Sequence, residues 1–415
     1  MARSAETILL LGNYRPALTL TRVFGAEGHR VIVGLEGCDG GAEHSRFASH
    51  VWDHPPLVDE EAFLAAIETY VLEQDITLLF PVSEDFVTVF VKHRARLEAL
   101  APIAMVDPDL VTKCLDKVLM MNLCLEHDVP CAPFSIVHSR DKLQTQSKEL
   151  GFPLVVRSER STIRLDGQKA ITVSSDADLN YLTSVWPQRE TGLILQRKFS
   201  GQRYNVYFAA NSGTMYRHVQ AVILRTDSPD GSGLAVEGET VVPLENLRDY
   251  TARLLSAIQY TGIGCAQFLV NEDTGDVSFL EINARIAGNL IVPEEAGLEL
   301  SPILMQLALE QPVDDRIIEG RTGIRYVWTS GEMMAAIVRN LKGEIGLSQL
   351  IARLFAATKC GLKADLHMVF SWRDPMPGIV TLLRLLPSPS GLVRRLSSLL
   401  CAGPAEDHAQ KEKKT

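Results

Sequence analysis

No two cysteines in this chain form a CxxC pair. The seven cysteines scatter from Cys38 to Cys401, an odd number with no disulfide or zinc framework in their spacing, which points to a reducing compartment. No apolar run approaches the roughly 20 residues of a spanning helix. The opening MARSAETILLLGNYRPAL holds too short an apolar run for a signal peptide. A basic surplus is also missing: 41 basic against 51 acidic side chains leave a net charge of −10. That argues against a general nucleic-acid binder, which carries a basic face, but leaves room for a local basic pocket. The ten histidines show no ligand spacing, and there is no GxGxxG, no MKM biotin-carrier motif and no internal repeat. The expectation is a cytoplasmic protein with no membrane span and no nucleic-acid partner.

What is present reads as a multidomain α/β chain. Its 415 residues are 46% apolar, enough for about two or three domains with cores. TILLLG, GHRVIVGLE, DITLLFPV and PIAMVD are strand patterns separated by helical stretches. Such alternation predicts βαβ units and an open parallel sheet over the first 108 residues. In DPDLVTKCLDKVLMMNLCLEHDVPCAPF, Leu110, Cys114, Val118, Met121 and Leu125 recur at helical spacing. From GFPLVVRS onward the strands shorten and turn signals multiply. NSGT and NEDTGD read as hairpin turns, so the middle of the chain reads as α+β with antiparallel sheets.

One stretch carries chemistry. In DVSFLEINARIAGN, residues 276–289, a strand-like run holds Glu281, Asn283 and Arg285 in strict alternation, which places them on one face. If the NEDTGD turn pairs Val270 with Ser278, Gln267 falls opposite Glu281 and shares that face. Gln267, Glu281 and Asn283 then offer three oxygen-bearing groups to one point. Hard cations such as Mg²⁺ take oxygen ligands and complete their shell with water and phosphate. The planar fork of Arg285 suits a phosphate beside them. Three such residues alone also describe a solvated sheet face, so the neighbouring stretches decide.

GIGCAQFLVNEDTGDVSFLEINARIAG resembles the metal-binding hairpin of the ATP-grasp superfamily, in particular its amide-forming ligases and the carbamoyl phosphate synthetase large subunit. Three further stretches match in order. The helix with Lys117 resembles the family's DK…GIPxP segment, GFPLVVRSE its GFPxVxKP, and LILQRKFSGQRYNV its hinge strand. The resemblance covers roughly residues 7–309 and implies a pre-ATP-grasp α/β domain followed by the grasp domain. It implies that Gln267, Glu281 and Asn283 ligate Mg²⁺ (or Mn²⁺), and that Arg285 is catalytic at the transferring phosphate. It further implies that Lys117 and Arg157 hold nucleotide phosphates, and that Gln196, Arg197, Lys198 and Phe199 meet the adenine. Two departures stand out. The flap SERSTIRLDGQKAITV has only Gly167, with Lys169 as a compensating cation, and Arg197 and Arg203 occupy places where the family has ribose-binding acids.

The implied function is an ATP-dependent ligase that activates a carboxylate as an acyl phosphate and couples it to an amine. Two alternatives remain: a nucleotide-binding regulatory or scaffold protein, and a carboxylase-type enzyme acting through carboxyphosphate. Expected boundaries are 1–108, 109–312 with a lid at about 130–196, an α-rich region over 313–402, and a disordered tail at 403–415. Glu84, just beyond a strand's carboxyl end, reads as a substrate contact or as a helix N-terminal acid. Arg225, in the loop RTDSPDGSGLAVEGE, reads as a carboxylate anchor or a plain surface residue. LVRRLSSLL reads as an amphipathic core helix, with membrane contact as the rarer case. Small-molecule substrates, and a homodimer, complete the expectation.

Overall fold

Strands with apolar side chains at every position need cover on both faces, and the first sheet has it. β1 (Thr7–Leu11), α1 (Arg15–Ala26), β2 (Arg30–Gly34), β3 (His50–Trp52), α2 (Glu60–Glu73), β4 (Leu78–Pro81), α3 (Glu84–Lys92) and α4 (Arg94–Glu98) form it. The strand order is β3-β2-β1-β4, all parallel. Leu9 and Leu11 pack with Phe63 and Phe86 on one side, while Ile8 and Leu10 join a core with Leu18 and Phe24 on the other. Two details differ from the sequence reading. PIAMVD contributes a single bridge, Leu79 to Ile103, and the missing strand is β3, three residues long and too short to carry a period. The computed structural model describes residues 5–37, 39–159, 163–168, 170–187, 191–228, 231 and 233–385. Lys169, LVRRLSSLL and the 403–415 tail lie outside the described residues, as does part of the flap.

α5 (Pro108–Leu115) and α6 (Lys117–Glu126) follow. The sequence pattern reads as one helix here, but Asp116 breaks it. Its backbone is extended, and its carboxylate accepts from the amide of Leu119 at 2.9 Å, capping α6. The apolar face shifts accordingly: Met120, Met121 and Cys124 are buried and Leu125 is exposed. A small antiparallel sheet then forms from β5 (Phe134–Val137), α7 (Arg140–Leu150), β6 (Leu154–Ser158), β7 (Ile171–Val173), α8 (Asp176–Val185) and β8 (Leu193–Arg197), in the order β5-β8-β6-β7.

The large sheet begins with β9 (Gln202–Asn211) and β10 (Thr214–Thr226), joined by Ser212 and Gly213 in left-handed conformation, the two-residue turn that NSGT predicts. β11 (Ala235–Val241), α9 (Glu245–Ala257), β12 (Gly262–Val270), β13 (Val277–Asn283), α10 (Ile291–Glu295) and α11 (Leu300–Ala308) continue it. Along β9, Tyr207 and Ala209 face the core shared with β1 and α1, whereas Val206 and Phe208 face α5, α6 and α9. The C-terminal region contains β14 (Ile318–Glu319), β15 (Arg325–Val327), α12 (Thr329–Leu341), α13 (Leu347–Gly361), β16 (Leu366–His367) and α14 (Met376–Leu383). It is helical, as expected, but its three short strands also extend the large sheet, β15 against β11 and β16 against β15.

A buried acid in α10 gives a pH-dependent expectation. Burial pushes the Glu294 carboxyl up to about 7, against the opposing bonds from the amide and hydroxyl of Ser301. A carboxyl raised in the fold favours its protonated form. Stability is therefore full below the unfolded value of about 4.3 and falls as pH rises to about 7. The loss is expected to reach up to about 3 kcal/mol. Chemical denaturation at pH 5 and pH 8 should show it, and Glu294→Gln should flatten it; an unchanged slope in the variant rules the residue out.

Candidate active site

Between the carboxyl ends of the parallel strands, α5, β6 and the β12–β13 hairpin lies a cleft of about 1050 Å³. Crevices beyond the carboxyl ends of parallel strands are the usual ligand sites of α/β sheets. Lys117, Arg157, Gln267, Glu281, Asn283, Arg285 and Glu84 all line it.

The oxygen row owes its alignment to an irregularity. β12 and β13 pair Val270 with Val277 and Phe268 with Phe279, one residue off the register read from the turn. Continued unbroken, that register would set Leu280 opposite Gln267, and Glu281 opposite the fully buried Ala266. A bulge at Leu280 restores the pairing of Gln267 with Glu281 and of Cys265 with Asn283. The expected opposition of Gln267 and Glu281 is therefore present, but by way of an extra residue. The bulge swings the acid from the core face to the cleft.

Around the row, each charge has a partner. Lys117 opens α6, and its Nζ lies 3.3 Å from Glu281 Oε2. Asn283 Nδ2 donates to Glu281 Oε1 at 3.0 Å. Burial would raise the Glu281 carboxyl, but Lys117, Asn283 and Arg285 outweigh it and hold it below the usual carboxylate range. Burial lowers the proton affinity of Lys117, opposed by Glu281 and reinforced by Arg157. A cation at the first position of a helix also opposes the helix dipole, so Glu281 is the local counter-charge that keeps it there. Arg157 donates from Nη2 to Gln196 Oε1 at 3.1 Å, and its buried Nε has no partner among the described residues. Arg285 Nη2 lies 3.3 Å from Glu84 Oε2. Glu84 stands in the first turn of α3, as the helix N-terminal reading expects, and it also lines the cleft.

The donor set of Gln267, Glu281 and Asn283 fits a Mg²⁺ ion that takes most of its shell from water and phosphate. One carboxylate with two amide oxygens is a sparse set for a fully protein-held ion.

Other sequence-predicted residues lie elsewhere. Gln196 sits in β8, between β5 and β6, and touches the cleft through Arg157. The amides of Arg197 and Lys198 already donate to the carbonyls of Pro133 and Pro153, at 2.8 and 2.9 Å. Arg197 Nη1 reaches the carbonyl of Leu150 at 2.9 Å. Neither these two residues nor Phe199 lines the cleft. Arg225 is tied by its guanidinium to Glu237 and to Glu332, a structural bridge rather than a group facing the cleft. The tip of its loop does reach the cleft, at Gly233, Leu234 and Ala235.

Sequence reasoning missed Arg15, Asn205 and Asn289 on the cleft wall. Arg15 is buried, paired with Asp39 at 3.3 Å and stacked 3.6 Å over the ring of Trp328. Asn205 and Asn289 both donate to the hydroxyl of Tyr207, at 2.9 and 2.5 Å. The signal was available: Arg15 follows the β1 glycine at the mouth of the parallel sheet, and Asn205 stands directly before the apolar run at 206–210 of β9.

Comparison with known proteins bears on the fold. Residues 240–316 match the family model described as the carbamoyl-phosphate synthase L chain, ATP binding domain. Biotin carboxylase from Campylobacter jejuni, solved as a β,γ-ATP complex, superposes with a TM-score of 0.60 at 15% identity, over 74% of this chain and 72% of that one. The biotin carboxylase domain dimer of Hydrogenobacter thermophilus 2-oxoglutarate carboxylase, solved with MgADP, ADP and bicarbonate, gives 0.62 at 14%, over 78% and 74%. The ADP complex of purK, N5-carboxyaminoimidazole ribonucleotide synthetase, gives 0.59 at 13%, over 81% and 85%. At these identities the likeness establishes the fold.

Proposed function

From the ATP-grasp fold of this chain, we propose an ATP-dependent ligase that phosphorylates a carboxylate and passes the acyl group to an amine, releasing ADP and phosphate. The observation that carries the reading is the convergence of Lys117, Arg157 and Arg285 on the Gln267–Glu281–Asn283 row within one cleft. Three cations and an oxygen row suit a polyphosphate with its metal. Gln267, Glu281 and Asn283 would hold a Mg²⁺ ion, which would supply neutralisation of the phosphate charge. Lys117 and Arg157 hold phosphate oxygens, and Lys117 exchanges its contact with Glu281 for one with phosphate. Arg285, released from Glu84, faces the γ-phosphoryl group as it moves in line to the carboxylate. The carboxylate oxygen attacks phosphorus and ADP leaves. The amine nitrogen then attacks the acyl carbon, loses its proton and expels phosphate. The boundaries at 108 and 312, nucleotide contact near 196–199 and a homodimer belong to the same proposal.

A second reading draws on the relatives, since the H. thermophilus domain was solved with bicarbonate. Here bicarbonate is the carboxylate and carboxyphosphate the intermediate. Coupled ADP-release assays separate the readings. Turnover that needs an organic carboxylate, with hydroxylamine trapping it as a hydroxamate, supports the ligase. Turnover that needs only bicarbonate supports the carboxylase. MgATP binding without ADP release under either condition leaves a nucleotide-binding regulator and overturns both.

Lys117→Ala is expected to weaken MgATP binding by roughly 10- to 100-fold, the worth of a hydrogen bond to a charged group. The side chain is 28% exposed and touches Glu281, which keeps Asn283, so the melt should shift little. Isothermal calorimetry decides: unchanged affinity removes Lys117 from the phosphate site.

A further inference from the structure

Large apolar side chains are not exposed evenly over this molecule. Among the described residues, 12 of the 23 exposed ones lie between Met334 and Leu383, a stretch of 50 residues. On α13, Leu347, Ile351 and Phe355 are 67, 59 and 71% exposed, with Leu362 at the helix end 85% exposed. Spacings of four and seven align them in one stripe. The opposite side of α13 carries the buried Ala357 and packs along α12. α12 turns Met334 and Val338 outward.

Charge borders the stripe on one side. Lys359 is exposed at the C-terminal end of α13, Lys363 just beyond it, and Lys342 in the turn before the helix. Residues 329–385 hold seven basic and four acidic side chains, in a chain of net charge −10. Two of the four acids, Glu332 and Asp374, are buried in pairs with Arg225 and Arg22. The face shown to solvent is therefore apolar and positive.

We propose that the α12–α13 face rests on an anionic phospholipid surface as a peripheral contact. An exposed apolar stripe with aromatic and leucine side chains beside lysines is the pattern of interfacial helices. Each basic residue near an anionic leaflet adds attraction. No helix among the described residues is long and apolar enough to cross a membrane, so the contact is with the surface. A second copy is a poorer occupant. An isologous dimer sets the same patch against itself, and Lys359 and Lys363 would meet like charge. The chain's residues 386–415 are poorer too, with five basic against three acidic side chains.

The test uses the full chain and sedimentation with vesicles of phosphatidylcholine alone, or mixed with phosphatidylglycerol. Binding is expected to the mixed vesicles, to weaken with salt, and to be absent with phosphatidylcholine alone. The double variant Ile351→Ser/Phe355→Ser should lower binding by roughly tenfold or more, with a melt matching the parent. Lys359→Glu/Lys363→Glu should lower it comparably. Val242→Ser, at an exposed apolar site elsewhere, should change nothing. Absence of binding to the mixed vesicles overturns the proposal, whatever acidic protein the face takes instead. Equal binding to both vesicle types does so as well. So does an oligomer in light scattering that the Ile351→Ser/Phe355→Ser variant dissolves.

Discussion

Glu281→Gln is expected to fold like the parent and to form ADP at least about 100-fold more slowly at saturating Mg²⁺. Glutamine keeps the size of the side chain and its capacity to bond Asn283 and Lys117. The pairing opposite Gln267, set by the bulge at Leu280, rests on the backbone and survives the change. What disappears is the single formal negative charge of the oxygen row. With two neutral amides as the remaining donors, nothing in the row then offsets a dication. In the proposed reaction the row would hold the Mg²⁺ ion that neutralises the phosphate charge. The loss is expected to cost roughly 3 kcal/mol or more of transition-state stabilisation. The measurement is ADP formation by the purified variant beside a thermal melt. A variant that melts like the parent and turns over within about threefold of it would reduce the row to a decorated strand.

Arg225→Ala should act on stability and leave substrate affinity alone. The guanidinium bridges Glu237 and Glu332, whose side chains are only 3% and 6% exposed. Arg325 also holds Glu237, so the orphan in the variant is Glu332, a buried carboxylate stripped of its partner. Breaking such a pair costs about 3–5 kcal/mol, and the partial exposure of Arg225 favours the low end. The melting temperature is expected to fall by roughly 5–10 °C. The pH dependence has a definite sign. In the parent, burial would raise Glu237, but Arg225 and Arg325 outweigh it and hold it below the usual range. Its contribution is present above the unfolded carboxylate value and is lost as pH falls through the folded one. The variant lacks the share of that contribution that Arg225 supplies. The gap between parent and variant should therefore close in acid. Melts from roughly pH 8 to pH 4 would show this. An unchanged melt with a Michaelis constant for the carboxylate raised tenfold would return Arg225 to the role of substrate anchor.

Legibility followed the range over which each signal acts. The continuous apolar run TILLLG needs only its own residues to announce a strand covered on both faces, and β1 is one. NSGT needs only four residues to specify its turn, and β9 and β10 meet there. β3 escaped because three residues carry no period, and β14, β15 and β16 because they are two or three residues long and pair with strands about 100, 90 and 40 residues away. Asp116 was readable in principle as a cap, but the apolar spacing on either side of it imitates one continuous helix.

The chain's own order of residues determined that an acid, two amides and three cations stand in segments able to meet. Composition and period also determined the parallel sheet and the antiparallel hairpin that present them. The tertiary structure alone decided which face Glu281 takes, because a register is a relation between two strands and one bulged residue reverses it. It alone decided that Arg225 bridges two buried acids, and that Arg15 and Asn205 wall the cleft. Glu332 is 107 residues from Arg225 in sequence, and Trp328 is 313 from Arg15. Side-chain electrostatics and packing act over a few ångströms of space, and only the completed fold determines which residues fall within that distance.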